Sequence, residues 1–185
     1  MSKFPKSKDF SQILLNTIFS FMVCDGDISP DEIVFIKKMA SDKSVFGDID
    51  INHELDEMVR LVNLRGVDYL EDFFKRVRNA SLSENQELIL LDSAIQTIQS
   101  DNEIKLDEIN FLRILRTMLK VTDAQIIEHI PNVSKEFLSK DDLTDIYIKE
   151  IYANYFHQRE LPKFEIDDVM DITESVDFGN SSDEE

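Results

Sequence analysis

The 185-residue chain carries one cysteine, no tryptophan, four glycines and four prolines. A lone thiol, Cys24, cannot form an intramolecular disulfide and suits a reducing compartment, so a cytoplasmic protein is expected. So little glycine and proline leaves too few turn residues for a β-rich architecture, and helices are the first expectation. No run of 18 apolar residues occurs, which argues against a membrane span. The basic N-terminus MSKFPKSKDF is not followed by a signal-type segment with a small-residue cleavage site. Positive charge is scarce too: 20 Lys and Arg face 38 Asp and Glu, a formal net charge of −18. Sequence-independent nucleic-acid binding needs Lys and Arg to neutralise phosphate, so no nucleic-acid partner is expected. A cation, a basic protein patch or plain solubility fits that charge.

What is present is a chain with the length and the 42% hydrophobic content to bury a core of ordinary domain size. Its charge is uneven. Residues 1–162 hold 29 acidic and 19 basic side chains, a net of −10, whereas residues 163–185 hold nine acids and one lysine, a net of −8. Ending in DFGNSSDEE, that last stretch reads as an acidic, largely disordered tail. The expected organisation is a helical domain over 1–133, a helical extension over 134–162 and the tail.

Sliding the sequence by 76 residues lays LLNTIFSFMVCDGDISPDEIVFI, residues 14–36, over LLDSAIQTIQSDNEIKLDEINFL, residues 90–112, with eight identities in 23 positions. Asp25, Ile28, Asp31, Glu32, Ile33 and Phe35 match Asp101, Ile104, Asp107, Glu108, Ile109 and Phe111. Gly26 is replaced by Asn102, which also tolerates a left-handed backbone, and Asp27 by Glu103. Each copy follows an apolar helix. In the first, Phe10, Ile13, Leu14, Thr17, Ile18, Phe21 and Met22 trace one broad face. The helix after it opens with Ser29 as N-cap, Pro30 and a capping box to Glu32. Further helices are expected near 52–64, 68–79, 83–99, 106–119 and from Thr122 to Pro131. Over 141–156 a helix is favoured, although its β-branched and aromatic residues leave a strand open. The fold class is all-α: a bundle of two related halves with about seven to eight helices.

CDGDISPDE resembles the second half of a calcium loop, since Gly26, Ile28 and Glu32 fall at its sixth, eighth and twelfth positions and Asp25 fits the fifth. Positions one and three would be Phe21 and Val23, which have no oxygen ligand, so a standard EF-hand is rejected. Helix capping and the macrodipole explain Asp31, Glu32, Asp107 and Glu108 without any ligand. They leave Asp25, Asp27, Asp101 and Glu103 unexplained, because these precede their helices. With Ile28 or Ile104 anchored in the core, the flanking carboxylates would point outward on a short arc. A hard divalent cation, calcium or magnesium first, would relieve their repulsion with modest affinity. The candidate metal residues are Asp25, Asp27, Asp31, Glu32, Asp101, Glu103, Asp107 and Glu108.

An apolar helix, a Cys/Ala-Asp-Gly-x-Ile-x-x-x-Glu turn and a second helix, all repeated once, resembles the tellurite-resistance TerB family. The motif stands as CDGDISPDE at Cys24–Glu32 and, degraded, as SDNEIKLDE at Ser100–Glu108; the resemblance spans about residues 8–130. It implies an all-helical cytoplasmic module that binds divalent metal through Asp25, Glu32, Asp101 and Glu108. It also implies a setting of tellurite or chemical-stress resistance, or of phage defence.

No catalytic constellation stands out. His53, His129 and His157 are scattered, without a zinc spacing, and no phosphate-binding glycine loop or G-x-S-x-G is present. Asp25 beside Cys24 would raise its thiol pKa, which disfavours a nucleophile. Two acidic clusters suggest a two-metal hydrolase only weakly, because no His or Arg is spaced to serve it. A non-enzymatic protein acting through a protein partner is therefore expected. The alternative is a metal-independent helical scaffold whose acidic tail binds a basic partner. Tyr147, Tyr152, Tyr155 and Phe156 read as core or partner-facing packing, and Lys75, Arg76 and Arg78 as a solvated face.

Overall fold

The structure, a computed structural model, describes residues 8–41, 43–47, 49–101, 103–138 and 143–165. Asn102 and residues 166–185 of the expected tail lie outside the described residues. The chain forms α1 (Lys8–Val23), α2 (Pro30–Ser41), α3 (Lys43–Phe46), α4 (Ile51–Arg65) and α5 (Val67–Asn79). It continues through α6 (Glu84–Ile98), α7 (Leu106–Arg116), α8 (Asp123–His129), a 3-10 turn (Lys135–Phe137) and α9 (Asp145–Gln158). No strand occurs among the described residues. The protein is all-α, and the open choice over 141–156 resolves as helix from Asp145 onward, residues 141 and 142 lying outside the described residues. The sequence pattern does not announce α3, because four residues are too few to show a period.

Local chemistry sets the helix starts. Ser83 and Thr122 each take the amide of the residue three on, and Gln86 and Gln125 return the bond to the cap N–H. Both are capping boxes. Thr144 caps α9 by accepting from the Tyr147 amide at 3.3 Å.

α1 is the central element, and α3, α4, α5 and α6 pack around it. From Leu14 onward its apolar side chains, Leu15, Phe19 and Val23 among them, are fully buried. The single apolar face expected for α1 is thus too narrow: a helix covered on every side buries both faces. Its buried hydroxyls find acceptors: Thr17 Oγ1 donates to the Ile13 carbonyl at 2.8 Å and Ser11 Oγ to the Val45 carbonyl at 3.3 Å. α9 packs on α7 and α5 and adds Ile151, Tyr155 and Phe156 to the same core, at spacings that suit one helical face. Phe111 of α7 lies at the centre of an aromatic group that joins Phe21 of α1, Phe73 and Phe74 of α5 and Tyr155 of α9.

Candidate functional site at the paired acidic turns

Each acidic turn begins where a buried apolar helix ends. After α1 the Gly26 amide donates to the Val23 carbonyl at 3.1 Å, and Gly26 takes φ +91°. Asp25 Oδ1 then accepts the Asp27 amide at 3.0 Å, closing an Asx turn. Ser29 and Glu32 complete the predicted capping box: the Ser29 amide donates to Glu32 Oε2 at 2.8 Å, and the Glu32 amide to Ser29 Oγ at 3.2 Å. The second turn repeats two of these bonds. Asp101 Oδ1 accepts the Glu103 amide at 2.9 Å, and Glu108 Oε2 the Lys105 amide at 2.7 Å. Lys105 stands where the first copy has Ser29, and its side chain has no acceptor, so the reciprocal cap bond is missing.

That lysine does something else. Its Nζ lies 2.5 Å from Asp25 Oδ2 and 3.9 Å from Asp27 Oδ2, so the second turn places its own cation in the notch of the first. The Asp25 hydrogen bond holds the Lys105 ammonium well above its usual pKa. Beneath it the carboxyls of Asp25, Glu32 and Glu108 turn inward. Burial pushes Glu32 up to about 8, with the charges of Asp25 and Glu108 adding and the Ser29 N–H opposing. Burial likewise lifts Glu108 to about 7, with Asp25 and Asp101 adding and the Lys105 amide opposing. Cys24 sits fully buried beside them, its thiol pKa raised by burial first and then by Glu108, Asp25 and Glu32.

A strap from the chain's C-terminal region closes over the junction. Tyr155 Oη and Arg159 Nη1 both donate to the Cys24 carbonyl, the latter at 2.6 Å, and Arg159 Nη2 reaches Asp107. Asn63 of α4 pairs with the Phe164 backbone twice, at 2.7 and 2.8 Å. Pro162 lies over Gly26, where an added Cβ would meet Pro162 Cδ at 3.3 Å. Gly26→Ala is therefore expected to cost about 1–2 kcal/mol, from the left-handed backbone and the displaced strap together. Thermal unfolding checks this; an unchanged Tm would mean that the strap does not hold the turn.

The eight predicted residues therefore divide. Asp25, Glu32 and Glu108 come together at the junction, with Asp101 close enough to influence Glu108. Asp27 is exposed at the edge of the Lys105 contact, Asp31 and Glu103 face solvent, and Asp107 is occupied by Arg159. Two expectations change. The decisive carboxylates point inward, because the opposite turn covers them. Ile28 does pack against the core, but Ile104 remains 40% exposed and anchors nothing.

Sequence reasoning passed over Lys105 and Arg159. A lysine inside an otherwise acidic motif was the available signal for the first; Arg159 lies 52 residues beyond Asp107 and gives none. The three histidines are not at the junction: His53 and His157 are exposed and His129 is half-buried. The oxygen donors suit a hard cation. As they stand, however, no three His, Cys, Asp or Glu side chains among the described residues are grouped to hold a metal ion. No described helix is long and apolar enough to cross a membrane. Comparison with family models, with curated proteins and with solved structures returns no match for this chain, which leaves the two turn motifs as the sole basis for its resemblance to the TerB family.

Proposed function

We propose that this chain is a non-enzymatic, TerB-like helical module of two related halves that takes up a divalent cation at its paired acidic turns and acts through a protein partner. The observation that carries this reading is the meeting of the two turns, which sets Asp25, Glu32 and Glu108 at one junction with the Lys105 ammonium against Asp25. One ammonium does not balance three inward carboxyl groups, and burial holds Glu32 and Glu108 toward their protonated forms instead. A hard cation such as calcium or magnesium, held by Asp25, Asp27, Glu32 and Glu108, would supply the missing positive charge. Lys105 must leave Asp25 for the cation to enter, so binding is a competition with an internal charge and its affinity is modest. The recurrence in the second turn of two of the first turn's three hydrogen bonds supports a duplicated unit. Through the resemblance, the setting would be cytoplasmic resistance to tellurite or chemical stress, or phage defence.

The competition makes the test specific. Metal-stripped protein is unfolded thermally while calcium, magnesium, manganese or zinc is titrated in. A site with Kd of about 10–100 μM adds roughly 1.4–2.7 kcal/mol at about 1 mM cation. Asp25→Asn should abolish the rise. Lys105→Ala should begin less stable and gain more from cation than wild type does, because its competitor is gone. A second reading, the metal-independent scaffold, is favoured by one specific observation: Lys105 and Arg159 already answer Asp25 and Asp107. Under it no cation moves the Tm of any of the three proteins, and removing residues 166–185 is what abolishes partner binding.

A further inference from the structure

We propose that the groove between α7 and α9 is a docking surface for a basic amphipathic helix of a partner protein. The proposal rests on the reading that this module works through a partner, and it names that partner's chemistry. The groove encloses about 640 Å³. α7 contributes Leu106, Asn110 and Arg113, and α9 contributes Tyr147, Glu150 and Ile151, so each helix offers residues three or four apart on one face. The trough between two helix faces suits a third helix, whose anchors recur at i, i+3 or i+4, and i+7.

The apolar part of the surface is exposed in an unusual way. Leu106, on the lip, is 70% exposed and Tyr147 is 37% exposed, while Ile151 and Tyr155 form a buried floor. The charges decide which helix would fit. Arg159 is paired with Asp107, whereas Arg113 is held by neutral partners. Arg113 lies 5.8 Å from the Tyr147 ring centroid and donates to Tyr147 Oη at 2.8 Å and to Asn110 Oδ1 at 3.3 Å. Arg159 holds Asp107 and the Cys24 carbonyl and lies 5.0 Å from the Tyr155 ring centroid. The carboxylates of Glu150 and Glu160, both exposed on the lining, pair with no cation among the described residues. Three carboxylates (Asp107, Glu150, Glu160) thus face two guanidiniums (Arg113, Arg159) on the lining, a net charge of −1 of the same sign as the long-range field of a −18 chain. A helix with Leu, Ile or Met on one face and Lys or Arg along its edges complements both features. The chain's own acidic C-terminal stretch has the wrong sign. Arg159 and Asp107 belong to the groove and to the strap alike, so an occupant pressing on them acts on the first acidic turn.

The test uses full-length protein in EDTA and two labelled 14-residue helical peptides, one of Leu and Lys and the other of Leu and Glu, with binding read by fluorescence anisotropy. The Leu/Lys peptide should bind. Glu150→Lys with Glu160→Lys should weaken it at least tenfold, and Leu106→Ser at least threefold. Glu54→Lys with Glu128→Lys, the same change of charge outside the groove, should weaken it no more than twofold. All five substituted positions of these variants are exposed or partly exposed, and unfolding curves verify that each variant folds. Equal losses from the two charge pairs would reduce the effect to net attraction and overturn the proposal. So would equal binding of the Leu/Glu peptide, or a wild-type dimer abolished by the groove variants, which would make a second copy the occupant. Because binding is judged in EDTA, a groove that fails while calcium still raises the Tm leaves the cation reading intact, and the converse result leaves the groove intact.

Discussion

Phe111→Ala is expected to destabilise the protein by about 3–5 kcal/mol, the range for removing a fully buried ring. At this chain length that lowers Tm by roughly 10 °C. Phe111 is fully buried and its ring centroid lies 4.9 Å from Phe21, 4.5 Å from Phe74 and 5.5 Å from Tyr155. These neighbours belong to α1, α5 and α9, so no single helix can close the space by shifting alone. The residue also stands one helical turn beyond Glu108, and its neighbour Tyr155 donates to the Cys24 carbonyl. The cavity would thus undermine the acidic junction as well as the core. Urea unfolding at constant m-value measures the loss. A loss below about 1.5 kcal/mol would mean that the surrounding rings collapse into the void and that the aromatic group is not the pivot described above.

The second large effect is on pH dependence. Glu32 and Glu108 titrate near 8 and near 7 in the folded protein, both above the usual carboxyl value of 4.5. Between about pH 5 and 7 the unfolded chain has released these protons while the folded chain still holds them. The unfolded state binds fewer protons there, so stability falls as pH rises. The contribution is full below the unfolded value of 4.5 and is lost as pH climbs through 7 and then 8. Each full pH unit of separation is worth at most about 1.4 kcal/mol per group. Solvent screening at the partly open junction reduces the pair to an expected loss of roughly 2–3 kcal/mol. Glu32→Gln with Glu108→Gln keeps the amide acceptors of the turns but carries no proton to lose. That variant should hold a flatter stability profile from pH 5 to 8.5 and should be the more stable protein at the upper end. Parallel profiles for wild type and variant would sink the inward-facing carboxyl pair. The same linkage predicts that any divalent cation bound at the junction displaces protons, so its affinity should rise with pH through this window.

Much of this arrangement is written in short-range chemistry. Ser29, Pro30 and Glu32 define where α2 begins because their bonds close within one helical turn, and Ser83–Gln86 and Thr122–Gln125 do the same for α6 and α8. Gly26 takes the positive φ that its turn requires, as its place between an apolar helix and an N-cap predicts. The all-α class follows from apolar spacing combined with so few glycines and prolines. α9 was the ambiguous case, since β-branched and aromatic residues suit a strand when considered alone. Burial of Ile151, Tyr155 and Phe156 against α5 and α7 selects the helix.

The candidate site was legible in a different proportion. Local pattern identified the acidic residues and their turn, because the Asx bond and the capping bond span only two or three residues. It did not say which carboxylates face inward, since that depends on what covers them. Asp31 and Glu32 are adjacent in sequence, yet one is exposed and the other buried. The cover comes from residues 80 positions away for Lys105 on Asp25, and 135 away for Arg159 on the Cys24 carbonyl. By itself, then, the sequence determined the helices other than α3 and α9, the two turns and most of their bonding, all matters of local periodicity and hydrogen bonding. Only the tertiary structure decided that the turns share one junction, which acids are driven toward neutrality there and which cations stand against them, because desolvation and Coulomb energy depend on distance through space and not on distance along the chain.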